Sequence, residues 1–337
     1  MNYILLLLGF VLLVKGADYF VDGASNIART LKVPSLIIGL TIVAFGTSAP
    51  EAAVSITASI DGQNGMAMGN VIGSNIFNLL MVVGMAGFIK TLKVEKSIIF
   101  KEFPFLLFSS VLMFILASDM FFKGTTDNII SRSDSIVLLI LFCIFTYSLL
   151  HTALSSRNKY LSEEASIAED SLHYEYSGDT LSEIQSNNLS LTKSVIMSIV
   201  GIVSIVLGGQ IVVKCASAIA SNFGVSDQLI GLTIVAIGTS LPEFVTSIIA
   251  ASKGESAIAL GNVIGSNMFN ILFIIGLSAF ISPMSIDPTL FIDAIFMIFA
   301  TLITFFFAAR KRDVTKFESI SLITIYIVYM IYLIICA

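Results

Sequence analysis

One segment of this chain is written twice. Residues 39–84, GLTIVAFGTSAPEAAVSITASIDGQNGMAMGNVIGSNIFNLLMVVG, return at 231–276 as GLTIVAIGTSLPEFVTSIIAASKGESAIALGNVIGSNMFNILFIIG. The offset is a constant 192 residues without a gap, and 27 of the 46 positions are identical. Both copies are apolar apart from a few polar residues, and each carries the same carboxylate, Glu51 or Glu243, inside its first apolar stretch. Two such blocks in one chain read as two halves of one site.

Composition puts that site in a membrane. The chain is 56% hydrophobic and only 12% charged, with a mean hydropathy of +0.95, far from the average of soluble domains. No basic patch suggests nucleic acid, and the pI near 5.1 says little about partners because much of the acid sits in one hydrophilic stretch. Cys143, Cys215 and Cys336 each fall inside an apolar run, which predicts small buried residues rather than disulfides or metal ligands.

Ten runs are long enough, at about 17–25 residues, to cross a hydrocarbon core. The first half holds Tyr3–Ala28, Leu36–Ile60, Gly65–Ile89, Phe103–Phe122 and Ser135–Ala153; the second holds Val195–Ala220, Leu229–Ser252, Ser256–Ile281, Leu290–Ala309 and Ile320–Cys336. The first run has no basic residue ahead of it and a counterpart in mid-chain, so it reads as a retained span rather than a signal peptide. Within it Lys15, Asp18 and Asp22 share a helix face and are expected to pair structurally. Between the halves, 155–191 is polar and rich in Glu and Asp, and reads as a solvated linker joining a first repeat (1–154) to a second (192–337).

Five spans is an odd number, so a repeated fold must enter the membrane from the opposite side. The expected architecture is an all-α polytopic membrane protein of ten transmembrane helices in two inverted five-helix repeats, with its site near the midplane. With the N-terminus outside, fourteen Lys and Arg fall on inner connections and only Lys123 and Arg132 on outer ones. That predicts both termini outside, the acidic linker in the cytoplasm, and residence in a bacterial or archaeal inner membrane.

The polar residues of the repeat suit a hard cation. Pro50 and Pro242 lie in mid-span after Gly46 and Gly238, where a proline frees a carbonyl four residues back. Thr47, Ser48 and Glu51 fall within one turn, as do Thr239, Ser240 and Glu243. The neighbouring span adds Ser74 and Asn78 on one helix face, with Ser266 and Asn270 matching them. At about 1.5 Å per residue, Glu51 and Asn78 both lie some 14–19 Å from the turn between their spans, near the middle of a core about 30 Å thick. An ionisable group there costs roughly 2.5–3.5 kcal/mol on insertion scales and is functional by default. Two carboxylates brought together without a Lys or Arg repel, and a divalent cation or several monovalent ones resolve the conflict. Ca²⁺ wants about 6–8 oxygens in a flexible cage, which this set supplies; Mg²⁺ fits less well, and without His or Cys zinc and copper are disfavoured. Gly69, Gly73, Gly261 and Gly265 read as helix-packing residues, and Asn70, Asn75, Asn262 and Asn267 as caps or part of an ion path.

The paired motifs GTSAPE (46–51) with GNVIGSNIFN (69–78), and GTSLPE (238–243) with GNVIGSNMFN (261–270), resemble the alpha-repeats of the calcium/cation antiporter superfamily, in its prokaryotic sodium/calcium exchanger branch. The resemblance implies exchange of Na⁺ against Ca²⁺ by alternating access, without a cofactor, the ions and membrane lipid being the partners of a functional monomer. It further implies that Glu51 and Glu243 bind the ions, helped by Thr47, Thr239, Ser48, Ser240, Ser74, Ser266 and Asn78 and by the backbone oxygens of Ala44 and Ala236. Asn270 is a departure, since some relatives carry Asp there; two formal charges leave stoichiometry, potassium dependence and proton coupling open.

Three other readings follow from the same residues. A cation/proton antiporter would use the same scaffold with protonation replacing sodium. A channel sits poorly with the inverted repeat. An intramembrane hydrolase using Ser48 or Ser240 lacks a base, because His151 and His173 lie outside the repeated blocks, so the chain is not expected to be an enzyme.

Overall fold

In hydrocarbon every backbone N–H and C=O must be satisfied within the protein, so long apolar runs become long helices. The computed structural model describes residues 2–119, 128–172, 190–223, 236–286 and 288–336. In chain order the first half has α1 (Asn2–Leu31), α2 (Ser35–Thr47), α3 (Ala49–Ile60), α4 (Asn64–Ile89), strand β1 (Leu92–Lys93), α5 (Ile98–Leu116), β2 (Ile129–Ile130) and α6 (Arg132–Leu172). The second has α7 (Leu191–Asn222), α8 (Ala236–Thr239), α9 (Leu241–Lys253), α10 (Ser256–Ile281), β3 (Met284–Ser285), α11 (Pro288–Lys311), β4 (Asp313–Val314) and α12 (Lys316–Cys336).

Among the described residues, eight helices are long and apolar enough to cross a membrane, and α2 with α3 forms one further, bent crossing. The chain is an integral membrane protein. Of the expected span Leu229–Ser252, α8 and α9 supply the second part, and its start lies outside the described residues. Several boundaries differ from expectation. The fourth span starts earlier, at Ile98, and α6 runs on to Leu172, well into the expected linker. The sequence YLSEEASIAEDSL (160–172) contains no Gly or Pro and is rich in Ala, Glu and Leu, which sustain a helix. The rest of the acidic stretch, 173–189, lies outside the described residues.

Two small strand pairs reveal how the halves are related. β1 and β3 are repeat counterparts, 192 residues apart, yet they do not pair with each other. Instead β1 pairs antiparallel with β4, and β2 with β3. A membrane crossing, α5, separates β1 from β2, so β3 lies on the opposite face from its counterpart β1. The second repeat is therefore inverted relative to the first.

Small residues set how closely the halves approach. Gly9, Gly16 and Gly23 of α1, seven apart, face α7 along its length. A Cβ on Gly16 would lie 2.9 Å from Ile205 N and 3.0 Å from Gly201 O, and one on Gly201 would lie 2.7 Å from Phe20 N. Gly261 and Gly265 pack α10 against α2, where added Cβ atoms would stand 2.9 Å from Leu36 O and 2.7 Å from Leu40 O. These two glycines pack as expected, but their counterparts do not: a Cβ on Gly73 would meet nothing within 4 Å and one on Gly69 only Leu290 Cδ2 at 3.8 Å.

Two expectations need correction. Asp18 and Asp22 do not pair with Lys15; they meet Lys253 of α9, at 2.7 Å and 2.6 Å, because α1 lies against the other repeat and brings that end of α9 to them. Cys215 is a buried free thiol, but Cys143 is exposed beside Ile136, Ile140, Ile144 and Tyr147 on the apolar outer face of α6.

Candidate ion-binding site

The site starts from two broken helices. α2 stops at Thr47, Ser48 turns with φ −82° and ψ 5°, and α3 departs at 50°. Ser240 makes the same turn, φ −90° and ψ 6°, between α8 and α9. The breaks fall two residues ahead of Pro50 and Pro242, so each proline occupies the first turn of a new half-helix, where its missing N–H costs nothing. Glu51 and Glu243 follow at the third position of those half-helices, against the positive ends of their dipoles.

Both carboxylates are fully buried, and each takes a hydrogen bond from the opposite repeat. Ser240 Oγ donates to Glu51 Oε1 at 2.9 Å and lies 3.0 Å from Ser74 Oγ. Ser48 Oγ donates to Glu243 Oε1 at 2.8 Å. Thr47 Oγ1 donates to Asn262 Oδ1 at 3.0 Å, and Thr239 Oγ1 to Asn70 Oδ1 at 3.3 Å. The Ala44 carbonyl accepts from Ser48 N at 3.0 Å and from Ser266 Oγ at 3.4 Å, so donors already engage it. Ala236 opens α8, one turn before Ser240.

Asn78 and Asn270 come from π-helical turns, Asn78–Val82 in α4 and Phe269–Ile275 in α10. Such turns widen a helix locally and recur at functional sites. The turn at Asn78 packs on α9, which carries Glu243, and the turn holding Asn270 packs on α3, which carries Glu51. Ten predicted residues, Thr47, Ser48, Glu51, Ser74, Asn78 and their counterparts Thr239, Ser240, Glu243, Ser266 and Asn270, are thus buried where the two repeats meet.

Four acceptor oxygens in this cluster are buried without a hydrogen-bond partner: Glu51 Oε2, Glu243 Oε2, Asn78 Oδ1 and Asn270 Oδ1. A buried acceptor left unpaired costs about 1–3 kcal/mol, more when charged. None of the ion pairs among the described residues involves either glutamate. Oxygens without donors and carboxylates without a base are the donor set of a hard cation.

Sequence reasoning left four asparagines undecided between caps and ion path, and the structure gives them a different place. Asn70 Nδ2 donates to Ser55 Oγ at 2.9 Å and Asn262 Nδ2 to Ser247 Oγ at 2.9 Å, each while accepting from a threonine of the opposite repeat. Asn75 and Asn267 lie between the repeats and bond to each other's backbone. Their identity in both copies was the available signal.

The sodium/calcium exchanger protein family matches residues 1–150 and 193–335 of this sequence. The chain belongs to that family. Similar proteins extend over most or nearly all of its length. The sodium/calcium exchanger MaX1 of Methanosarcina acetivorans is 34% identical over 363 aligned positions, covering 98% of this chain and 98% of the relative. The inner membrane protein YrbG of Escherichia coli is 36% identical over 284 positions, covering 84% of this chain and 81% of YrbG. Among solved structures, the sodium-calcium exchanger NCX_Mj superposes with a TM-score of 0.79 at 29% identity, covering 98% of this chain and 97% of that one. The two matched segments of the exchanger family leave out 151–192, which contains the stretch 155–191 read as a linker.

Proposed function

We propose that this chain exchanges Na⁺ for Ca²⁺ across the membrane by alternating access, binding both ions at the cluster between its repeats. The four unpartnered acceptor oxygens carry the reading, because they leave two buried carboxylates and two amide oxygens free to take up a cation. Glu51 and Glu243 are the shared charged ligands. Thr47, Ser48, Ser74 and Asn78, with Thr239, Ser240, Ser266 and Asn270, complete the oxygen set; the Ala44 carbonyl joins it when its present donors turn away, and the Ala236 carbonyl is its counterpart in the second repeat. Membership of the exchanger family and the exchanger names of its full-length relatives support the same ions.

One Ca²⁺ neutralises the carboxylate pair, and three Na⁺ would leave one positive charge. The repeats 1–154 and 192–337 act as one transport unit, functional as a monomer, joined by the acidic linker 155–191. The bias of Lys and Arg toward one set of connections supports termini outside and a cytoplasmic linker in an inner membrane.

The test is Ca²⁺ uptake into proteoliposomes loaded with Na⁺ and diluted into Na⁺-free buffer, beside vesicles holding only a pH gradient. Uptake that requires internal Na⁺ and disappears in Glu51→Gln is the expected result. Uptake driven by the pH gradient alone would move the chain to proton-coupled exchange at the same site, and normal uptake by both Glu51→Gln and Glu243→Gln would reject the site.

A further inference from the structure

Asn75 and Asn267 hold no unpartnered oxygen, yet they decide which way two other amides point. They are repeat counterparts, 192 residues apart, and both are fully buried. Asn75 Oδ1 accepts from Asn270 Nδ2 at 3.0 Å, and Asn267 Oδ1 accepts from Asn78 Nδ2 at 3.2 Å. Each is pinned in turn by a main-chain acceptor of the other. Asn75 Nδ2 donates to the Asn267 carbonyl at 3.4 Å, and Asn267 Nδ2 to the Asn75 carbonyl at 3.2 Å. A backbone carbonyl cannot trade its oxygen for a donor, so each of these two amides has one orientation, with its own oxygen presented outward.

An asparagine side chain is two-sided, with an acceptor on one face and two donors on the other, and rotation by half a turn exchanges them. A cation needs the acceptor. With their NH₂ groups held, Asn78 and Asn270 leave Oδ1 as the face without a partner. We propose that Asn75 and Asn267 are positioning residues that lock Asn270 and Asn78 with their carbonyl oxygens toward the cation, keeping the cluster free of competing donors. This rests on the reading of Asn78 and Asn270 as ligands.

The competitor they exclude is internal. Glu51 Oε2 and Glu243 Oε2 have no donor, and the π-helical turns carrying Asn270 and Asn78 pack on the helices that carry those glutamates. A released amide can rotate and offer N–H groups to that cluster. A hydrogen bond from an amide to a carboxylate would then have to be broken before an ion could enter. The lock also accounts for Asn rather than Asp at 270: an aspartate there would set a carboxylate oxygen against Asn75 Oδ1, acceptor against acceptor.

A double-mutant cycle tests this, using Ca²⁺ binding to the purified full-length protein in detergent, followed by calorimetry. Asn75→Ala is measured with Asn270 present and again in the Asn270→Asp background, where both side-chain oxygens accept and nothing remains to lock. With Asn270, the dissociation constant is expected to rise about tenfold or more, the scale of one hydrogen bond to a charged group; with Asp it is expected to stay within about twofold. An equal loss in both backgrounds would assign Asn75 to packing alone and overturn the lock, as would no loss in either. Asn267→Ala, measured with Asn78 and in the Asn78→Asp background, puts the same question to the other half should Asn75→Ala fail to accumulate. Glu51→Gln in the same assay separates the two levels. If it binds Ca²⁺ like the wild type, the site reading fails; if it loses binding while Asn75→Ala does not, only the lock fails.

Discussion

Ser48 Oγ donates to Glu243 Oε1 at 2.8 Å across the two repeats, and Ser240 Oγ returns the arrangement to Glu51 Oε1 at 2.9 Å. Read locally, Ser48-Ala49-Pro50-Glu51 and Ser240-Leu241-Pro242-Glu243 have the S-x-x-E spacing of a capping box, in which serine and glutamate serve their own helix end. Neither serine caps its own half-helix through its side chain. Each has been given to the carboxylate of the other repeat, so the orientation of one glutamate depends on where the opposite half stands.

Removing either hydroxyl should therefore cost about the same. Ser48→Ala and Ser240→Ala are each expected to raise the Ca²⁺ concentration needed for half-maximal uptake about tenfold or more, the effect of one hydrogen bond to a charged group. Initial rates of Na⁺-driven uptake over a range of Ca²⁺ check this. A strongly unequal pair of effects would show that the two halves do not share the ion evenly.

The interface between α1 and α7 gives a stability prediction. In Gly201→Ala the new methyl would lie 2.7 Å from Phe20 N and 2.8 Å from Gly16 O, backbone atoms that can yield only if the helices part. Overpacking of this kind costs about 1–3 kcal/mol. The midpoint for loss of monodisperse protein on heating should fall clearly below that of the wild type, with transport falling alongside it.

A three-for-one exchange would be voltage-sensitive. If three Na⁺ move against one Ca²⁺, one net charge crosses per cycle, worth about 2.3 kcal/mol per 100 mV. Na⁺-loaded proteoliposomes clamped by a K⁺ gradient and ionophore should take up Ca²⁺ faster when the interior is positive, because each cycle carries one net positive charge out. Rates independent of the clamp would indicate two Na⁺ per Ca²⁺.

The contact of Lys253 with Asp18 and Asp22 is partly exposed and should matter far less than the buried carboxylates. Pairs of this kind contribute about 0–1 kcal/mol and weaken with salt. Lys253→Met is expected to change the uptake rate by less than about fivefold, with the difference shrinking as choline salt is added. Glu51→Gln should abolish uptake at any ionic strength.

Much of this was legible because the repeat is a comparison built into the chain. Glu51 and Glu243 stood out by cost alone, since a charge in hydrocarbon needs a reason, and Ser74 and Asn78 followed from helical spacing and depth. What stayed hidden were relations across the duplication. Spacing placed Lys15 beside Asp18 and Asp22, whereas the actual partner, Lys253, lies more than 230 positions away. Proline suggested freed carbonyls four residues back, at Gly46 and Gly238; the helices break instead at Ser48 and Ser240, two residues ahead of the prolines. Asn75 stayed open between helix cap and ion path, because an amide that holds another in place is recognisable only from the packing between the halves.

The exchanged strand pairs make the two halves behave like links of a chain. A lone first half would leave Leu92–Lys93 as an open edge at one rim of the membrane and Ile129–Ile130 as another at the opposite rim; a lone second half would leave Met284–Ser285 and Asp313–Val314. Each half is thus a template waiting for its counterpart on both surfaces at once. The connecting segment need not teach the halves how to dock, only keep them in supply together. Two separately encoded halves made in the same cell should find each other and transport, while either one alone should be cleared as unfinished protein.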